Sequence, residues 1–419
     1  MSGRRFALAI ASMGSVTRSY TARRACLALM LAAAGGPAAA DAGEGFYRRY
    51  VGVLGGKTGI VVHLTVTPSE GGSNVSGHYY YARYRRPISL SGAFDGSRFT
   101  LTEGEERTGN RLHLTLQGDG LAGEWRSSDG TTAHPVTAKE NYDGAVAFDV
   151  VSVEKTHAYD QSLPGGPSAS FSLRWLVPRA SVEGQRLDAV RQFVMNCVQR
   201  PKTAAASEQA EGNAAASSCE TVPVQTAPEE LARTAAEEYF SEYMQTNAEL
   251  IEDLCADKPL QQCLDEGMAG GLGWESGEST GVVFNDEGVL ALASDYGGYS
   301  GGAHGYYGTT VHTFDLAAGR MVRAADLFRP GSEGGIVALL EQAFRDSRGP
   351  EAGADVKEAL LVESIPLTDN FSVDGHGVTF VYVPYEIASY ADGQIELTLP
   401  WQSLRPHLRD GTIAARLAR

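Results

Sequence analysis

The sequence predicts an α+β fold: an N-terminal all-β meander that closes as a barrel or curls as a sandwich, followed by a mostly antiparallel α+β domain. Apolar and polar residues alternate through the first part of the chain, with glycine-containing turn pairs at short spacing. Beyond residue 144, strand-like runs and helical patterns alternate irregularly, which favours α+β over a doubly wound sheet. Glycine and tyrosine then crowd into one hairpin near residue 300.

We divide the chain into four segments on these changes of pattern. Residues 1–40 are predicted as a signal peptide and 41–143 as the β-meander module. Residues 144–270 are predicted as an α+β partner domain that contains disulfides, and 271–419 as a second α+β domain. A chain of 419 residues is long enough for two or three domains, which agrees with this division.

The first 40 residues are typical of an export signal. Two arginines precede an apolar run over residues 25–34, and alanines fit an A-x-A cleavage site after residue 40. The apolar run is shorter than the roughly 20 residues that a membrane span needs, so an uncleaved anchor is the less favoured alternative. The start is open between Met1 and Met13. We expect a periplasmic or secreted protein with no membrane span after cleavage.

The net charge of the chain limits the classes of partner that it can bind. The chain carries a net charge of −16, and cleavage after residue 40 would remove five arginines and no acids, which lowers the charge to −21. Such an acidic protein is a poor candidate for binding nucleic acid or an anionic membrane surface. It suits a basic partner, because opposite fields speed encounter, although acidity also serves solubility alone.

Four cysteines would remain after cleavage. An even number in an exported protein favours disulfides, and local pairing closes the shortest loops. We therefore predict the pairs Cys197–Cys219 and Cys255–Cys263. A zinc site is the rival interpretation, but no C-x-x-C motif or neighbouring histidine supports it. No metal or other cofactor is predicted.

The β-meander contains one aromatic and basic run, residues 78–87. Alternation along a strand places Tyr79 and Tyr81 on one face, with Arg83 close behind. Tyrosine and arginine are enriched in binding hot spots, so these three residues form a secondary candidate patch. An ordinary aromatic strand with a solvated basic end is the alternative.

The glycine-rich hairpin is the main candidate site. Its tyrosines and histidine would form a rigid aromatic surface with backbone donors beside it, a composition suited to recognising a protein or a glycan. The predicted binding residues are Tyr296, Tyr299, Ser300, Gly301, Gly302, His304 and Tyr306. The alternative is a tightly packed hairpin whose rings face the core.

Catalytic interpretations are weaker. The G-x-S-x-G run at residues 277–281 is followed at once by a strand-like segment, whereas a nucleophile elbow leads into a helix. No catalytic residue is therefore assigned. The alternative enzymatic hypothesis uses Asp295 and His304 as an acid–base pair, because a histidine beside a carboxylate titrates near neutral pH.

Several motifs resemble one bacterial exported family. They are the run at 299–305, Phe314-Asp315-Leu316 with Gly319, residues 326–328, and the run at 380–390. The resemblance is to the C-terminal extracytoplasmic domain of lysozyme-sensing anti-sigma factors, which also precedes the catalytic domain of some peptidoglycan deacetylases. It covers about residue 145 to the end.

The resemblance implies an α+β binding module of the cell envelope, with lysozyme, a basic protein, as the partner in the sensor members. The sequence lacks a transmembrane segment after the signal and a deacetylase domain, so neither signalling through a membrane nor deacetylation carries over. We expect an exported, non-enzymatic binding protein for a protein or glycan of the cell envelope, lysozyme among them. The alternative is an enzyme acting on peptidoglycan or a related polysaccharide.

Overall fold

The structure is a computed structural model that describes residues 45–69, 72–104, 109–163, 165–179, 190–192, 194–195, 226–255, 258–266, 271–348 and 359–418. The predicted signal peptide and the predicted Cys197–Cys219 disulfide lie outside these residues. The described residues belong to one compact unit. The predicted boundaries after residues 143 and 270 fall inside it, where strands from both sides of each boundary pair in one sheet.

The amino-terminal strands form the predicted meander, and it closes as a barrel because β1 pairs with both β2 and β8. Alternate side chains point inward, so Tyr50, Ile60, Val62 and Leu101 are fully buried in a common core. The strands are β1 (Phe46–Leu54), β2 (Thr58–Ser69), β3 (Gly72–Tyr81), β4 (Ile88–Phe94), β5 (Arg98–Glu103), β6 (Arg111–Gln117), β7 (Gly120–Arg126) and β8 (Ala133–Glu140).

The sheet continues beyond the barrel. The next strand pairs with β1 at Phe46 and Asp149, and five more strands follow it in order. Within the described part of the sheet, β10 with β11 is the parallel pair and the others are antiparallel, so the predicted fold class is confirmed. These strands are β9 (Phe148–Ala158), β10 (Ser168–Pro178), β11 (Trp274–Asp286), β12 (Val289–Tyr299), β13 (Tyr306–Asp315) and β14 (Arg320–Met321).

Helices α1 (Pro228–Leu254) and α2 (Leu260–Asp265) lie between β10 and β11 in the sequence. Helix α1 packs Ala232 and Ala236 against β9 and β10. It begins at Pro228, whose fixed φ suits the first helical turn. Helix α2 follows, and the predicted Cys255–Cys263 disulfide joins the end of α1 to it. None of the helices in the described segments combines the length and hydrophobicity that a membrane span requires.

The carboxyl-terminal part packs a small sheet on β13, and helices of this part pack against that small sheet. Asn370, just before the small sheet, donates from Nδ2 to the Thr309 carbonyl and accepts from the Val311 amide, so it satisfies part of the β13 edge. The elements are α3 (Ala324–Leu327), α4 (Glu333–Arg348), β15 (Phe371–Val373), β16 (Gly377–Tyr382), β17 (Ile395–Pro400), α5 (Trp401–Leu404) and α6 (Ala414–Leu417).

A buried polar network joins the barrel to the end of β11. The Arg49 guanidinium binds the Asp286 carboxylate at 2.8 Å, and the Tyr80 hydroxyl donates to the same carboxylate at 2.8 Å. The rings of His63 and His78 stack at 4.5 Å beside this network. Both histidines are almost fully buried, so the outer face of β3 is an interior surface. We call this region the barrel junction.

Candidate functional site

The predicted glycine hairpin is formed by β12 and β13, with residues 300–305 connecting them. Gly301 and Gly302 have φ values of 96° and 87°, which only glycine adopts readily. Gly298 lies within β12, where a Cβ atom would come 2.4 Å from the Glu275 carbonyl oxygen. The glycines therefore serve two purposes. Gly301 and Gly302 allow the left-handed backbone of the turn, and Gly298 allows β11 to approach β12 closely.

An exposed group of aromatic rings lies at the tip of this hairpin. His304 stacks on Tyr390 with ring centroids 4.3 Å apart, and Tyr307 meets Tyr390 edge-on at 5.6 Å. Tyr385 lies 5.7 Å from Tyr390 and 6.4 Å from His304. We call His304, Tyr307, Tyr385 and Tyr390 the aromatic cluster. Two segments about 80 positions apart in sequence build it.

Hydrogen bonds hold the two segments together. The Tyr390 hydroxyl donates to the Gly305 carbonyl at 2.9 Å. His304 Nδ1 lies 2.8 Å from the same carbonyl oxygen, and because a carbonyl only accepts, Nδ1 carries the proton. A neutral His304 ring then leaves Nε2 as an acceptor. The backbone at Gly305 is thus the anchor of the stacked pair.

A capped turn fixes the position of Tyr390. Ser389 begins the turn at Tyr390–Asp392, and its hydroxyl donates to the Asp392 carboxylate at 2.6 Å. Arg348, in the last turn of α4, binds the same carboxylate at 2.6 Å. The turn ends at Gly393 with a φ of 73°, beside the Tyr307 hydroxyl. The cluster therefore rests on a fixed element.

Tyr385 presents its ring to solvent from a strained backbone. Its φ is 71°, in the left-handed region that costs an ordinary residue about 1–2 kcal/mol. The Tyr385 amide donates to the Ala388 carbonyl, and the Glu386 amide to the Val383 carbonyl, which holds the turn. The side chain is 57% exposed. Strain combined with an exposed large ring is typical of a functional position.

The remaining predicted hairpin residues are distributed over two faces. Tyr306 pairs with Gly298 and lies on the face opposite Tyr307, because strand neighbours alternate. Tyr296 passes over Gly308, where a Cβ would come 2.6 Å from its hydroxyl, and burial raises its pKa. The Tyr299 hydroxyl donates to the Gly302 carbonyl. Ser300 lies in the connecting loop with Gly301 and Gly302. Of the predicted set, His304 is the residue that joins the aromatic cluster.

The alternative acid–base pair is not brought together. Asp295 accepts a hydrogen bond from the Thr309 hydroxyl at 2.7 Å. Burial raises the Asp295 pKa, against the opposing effects of that hydrogen bond and of the Arg174 charge. Among the hydrogen bonds and ion pairs found for the described residues, none links Asp295 to His304. Ser279 of the G-x-S-x-G run lies in the middle of β11, far from any strand-to-helix turn. No three metal-ligating side chains cluster within the described segments.

The secondary patch is also rearranged. Tyr79 is 1% exposed and donates to Glu103 at 2.6 Å inside the barrel, so it cannot take part in a surface contact. Tyr81 packs edge-on beside it, with ring centroids 5.8 Å apart. Arg83 is exposed, and its guanidinium lies 5.6 Å from the Tyr84 ring centroid. The accessible surface is therefore the loop after β3 rather than the strand.

In a comparison with known proteins, one domain family matches a segment that includes part of this site. Residues 325–402 match the family described as "Protein of unknown function (DUF3298)", a span that contains Tyr385 and Tyr390 but not the hairpin. A crystal structure of a DUF3298 family member from Bacteroides fragilis shares 21% identity and has a TM-score of 0.51, covering 66% of this chain and 99% of that chain. This likeness shows a common fold.

A second solved structure, a DUF3298 family protein from Pseudomonas aeruginosa PAO1, shares 16% identity over 64% of this chain and 97% of that chain, with a TM-score of 0.38. No curated protein gives a significant match. Neither relative is described as an anti-sigma factor or a deacetylase. The family match at residues 325–402 supports a domain of unknown function and leaves the binding partner to be proposed.

Proposed function

We infer that this protein is an exported, non-enzymatic binding protein of the cell envelope that contacts a basic protein partner through the aromatic cluster. Lysozyme, which the resemblance of the sequence motifs implies, is the concrete candidate. The observation that carries this proposal is the stack of the exposed His304 ring on the half-buried Tyr390 ring, beside the exposed Tyr307 and Tyr385. A stable monomer rarely leaves several large rings together at its surface without a partner to cover them.

The cluster has the properties of an interface anchor. Tyrosine rings bury a large area with little loss of side-chain entropy, which is why they are enriched in hot spots. Here the backbone hydrogen bonds at Gly305 and the capped turn at Tyr390–Asp392 already order the rings. A partner would therefore pay less to immobilise them, because the contact surface is preorganised.

Charge favours a basic partner over a neutral glycan. The chain carries a net charge of −16, and the acidic field would speed encounter with a cationic protein. Association through such a field weakens as salt rises, because the Debye length falls to about 8 Å at physiological ionic strength. Salt sensitivity is therefore a property that the proposal requires.

The test is a calorimetric titration of the mature protein with lysozyme at low and physiological salt. We expect binding that weakens with salt and that falls at least about tenfold in Tyr385→Ala and Tyr390→Ala, since each removes a ring at the proposed contact. Tyr84→Ala is the matched control, because Tyr84 is an exposed tyrosine on the barrel and should leave lysozyme binding unchanged. Circular dichroism confirms that each variant is folded.

Two results would reject the proposal. One is the absence of lysozyme binding at low salt by folded wild-type protein, and the other is equal loss of binding in the Tyr84→Ala control. The enzymatic alternative has less support, because Asp295 and His304 bind different partners. Turnover of peptidoglycan fragments that is abolished in His304→Ala would favour that alternative instead.

A further inference from the structure

A cavity of about 420 Å³ lies between the loop after β3 and the turn that joins β15 to β16. Its volume falls in the roughly 300–1,000 Å³ range of small-molecule sites. The residues that line it and bear on its chemistry are Tyr81, Tyr84, Arg86, Ile88, Gly375 and His376. The aromatic cluster contributes no residue to this lining, so the cavity is a separate candidate site.

The backbone around the cavity is fixed before any ligand binds. The Gly375 amide donates to the Arg85 carbonyl at 3.0 Å, which ties the β15–β16 turn to the barrel loop. Arg85 has a φ of 48° and forms an ion pair with Glu287 at 2.6 Å. A Cβ atom at residue 375 would come 2.2 Å from the Tyr84 carbonyl oxygen, so glycine is needed for this approach. The walls of the cavity are therefore preformed.

The lining combines aromatic faces with positive charge. Tyr84 is 62% exposed, and Tyr81 supports the apolar side together with Ile88. Arg86 is exposed at the rim, and the ion pairs found among the described side chains do not include it. His376 lies on the opposite wall. A tyrosine face beside an arginine suits a ligand with one flat apolar side and one carboxylate.

The acid nearest to these groups is already occupied. The Asp374 carboxylate accepts from the backbone amides of His376 at 2.6 Å and Gly377 at 3.0 Å. Burial raises the pKa of Asp374, while the charges of His376 and Arg86 act in the opposite direction. Both amides donate to Oδ1 of Asp374, and none of the hydrogen bonds and ion pairs found among the described side chains joins this carboxylate to Arg86. Arg83 adds a second cation near Tyr84.

We propose that this cavity binds a carboxylated sugar residue of the uronic acid type, stacked on Tyr84 and held through its carboxylate by Arg86. The guanidinium supplies two parallel donors that match a carboxylate, and His376 faces the same space. The tyrosine face packs against the apolar side of the sugar ring. This inference does not depend on the proposed contact at the aromatic cluster.

The test uses D-glucuronate and D-glucose, which differ at the carboxylate, as probes for NMR titration of the full-length mature protein. We expect glucuronate to bind in the millimolar range and glucose to bind at least about tenfold more weakly. Arg86→Ala should abolish the preference for glucuronate, and Tyr84→Ala should weaken both sugars. Arg111→Ala, an exposed arginine elsewhere on the barrel, is the matched control and should change neither.

Specific results would overturn the proposal. They are equal affinity for the two sugars, no shift up to about 10 mM glucuronate in folded wild-type protein, or unchanged glucuronate binding in Arg86→Ala. Lysozyme binding measured on the same variants keeps the two proposals distinguishable. Tyr84→Ala should weaken sugar binding and leave lysozyme binding unchanged, whereas Tyr385→Ala should weaken lysozyme binding and leave sugar binding unchanged.

Discussion

Two stacks of aromatic rings occupy opposite environments in this protein. At the barrel junction, His63 and His78 stack at 4.5 Å, and the Tyr80 ring lies 5.7 Å from His63. In the aromatic cluster, His304 and Tyr390 stack at 4.3 Å in contact with solvent. The side-chain chemistry is nearly the same, so burial decides what each stack does. The buried stack joins two parts of the fold, and the exposed one is available to a partner.

A buried charge pair lies beside this stack, and removing one of its partners should have the largest effect on stability. Asp286→Ala leaves the Arg49 guanidinium, whose side chain is 3% exposed, without its carboxylate. We expect the free energy of unfolding to fall by about 4 kcal/mol, because an unpaired buried charge costs far more than a surface pair contributes. Urea denaturation of the variant measures this loss.

The control for that experiment is an exposed pair of the same kind. Arg179 binds Asp149 at 2.7 Å, with both side chains about half exposed. Asp149→Ala should change the free energy of unfolding by less than about 1 kcal/mol. If the two variants lose similar stability, the Arg49–Asp286 ion pair does not stabilise the barrel junction in the way that its burial indicates.

The second largest expected effect is a loss of stability on acidification, which acts through the buried His63 and His78. Burial lowers the pKa of His78 to about 4, and burial with the nearby His78 and Arg49 charges lowers the pKa of His63. The unfolded chain takes up protons below about pH 6.5, whereas folded His78 resists them until about pH 4. Stability is therefore full above pH 6.5 and falls between pH 6.5 and 4, by about 3 kcal/mol for His78.

Denaturation curves at pH 7 and pH 4 measure this slope. In His78→Leu the titrating ring is gone, and the loss of stability between the two pH values should shrink by about 3 kcal/mol relative to wild type. An unchanged pH dependence in the variant would show that folded His78 takes up its proton as readily as the unfolded chain does.

A substitution in the aromatic cluster should have the smallest effect on stability but a large effect on binding. Tyr385→Gly relieves the positive φ at that position and also frees the unfolded chain, so the two contributions oppose each other. We expect the free energy of unfolding to change by less than about 1 kcal/mol, while lysozyme binding falls at least about tenfold. Unfolding of the variant would contradict the expected stability, and full affinity in a folded variant would remove Tyr385 from the proposed contact.

Local sequence patterns predict the strands of this fold well. The alternation of Ile60, Val62, Leu64 and Val66 indicates an inward-facing row, and all four are buried in the barrel core. The Asn or Asp with Gly pairs mark the tight connections, because these residues tolerate left-handed backbone. The Cys255–Cys263 pairing was predictable for the same reason, since the partners are near in sequence.

Long-range pairing was not predictable in this way. The parallel register of β10 with β11, Ala169 opposite Trp274, spans a hundred residues, and no short pattern encodes it. Tyr79 is an example. The alternation correctly placed Tyr79 and Tyr81 on one face of the strand, but it did not indicate that this face lines the barrel. The period-2 pattern assigns residues to faces, and only tertiary packing decides which face meets solvent.

Of the four residues of the aromatic cluster, the predicted binding set contained His304. Composition drew attention to His304, because histidine and tyrosine among glycines indicate a shaped turn. Tyr385 and Tyr390 belong to a distant segment, and their contact with His304 depends on how β16 and the following turn pack on β13. In the sequence, the family-like run at 380–390 drew attention to Tyr385 and Tyr390, but it does not indicate a contact with His304.

The proposed function requires that a partner covers the surface formed by the His304–Tyr390 stack. An NMR titration of isotope-labelled mature protein with unlabelled lysozyme at low salt tests this most directly. We predict chemical-shift changes concentrated at His304, Tyr307, Tyr385 and Tyr390, with the buried His63 and His78 unaffected. Changes confined to another surface, or none at saturating lysozyme, would contradict it.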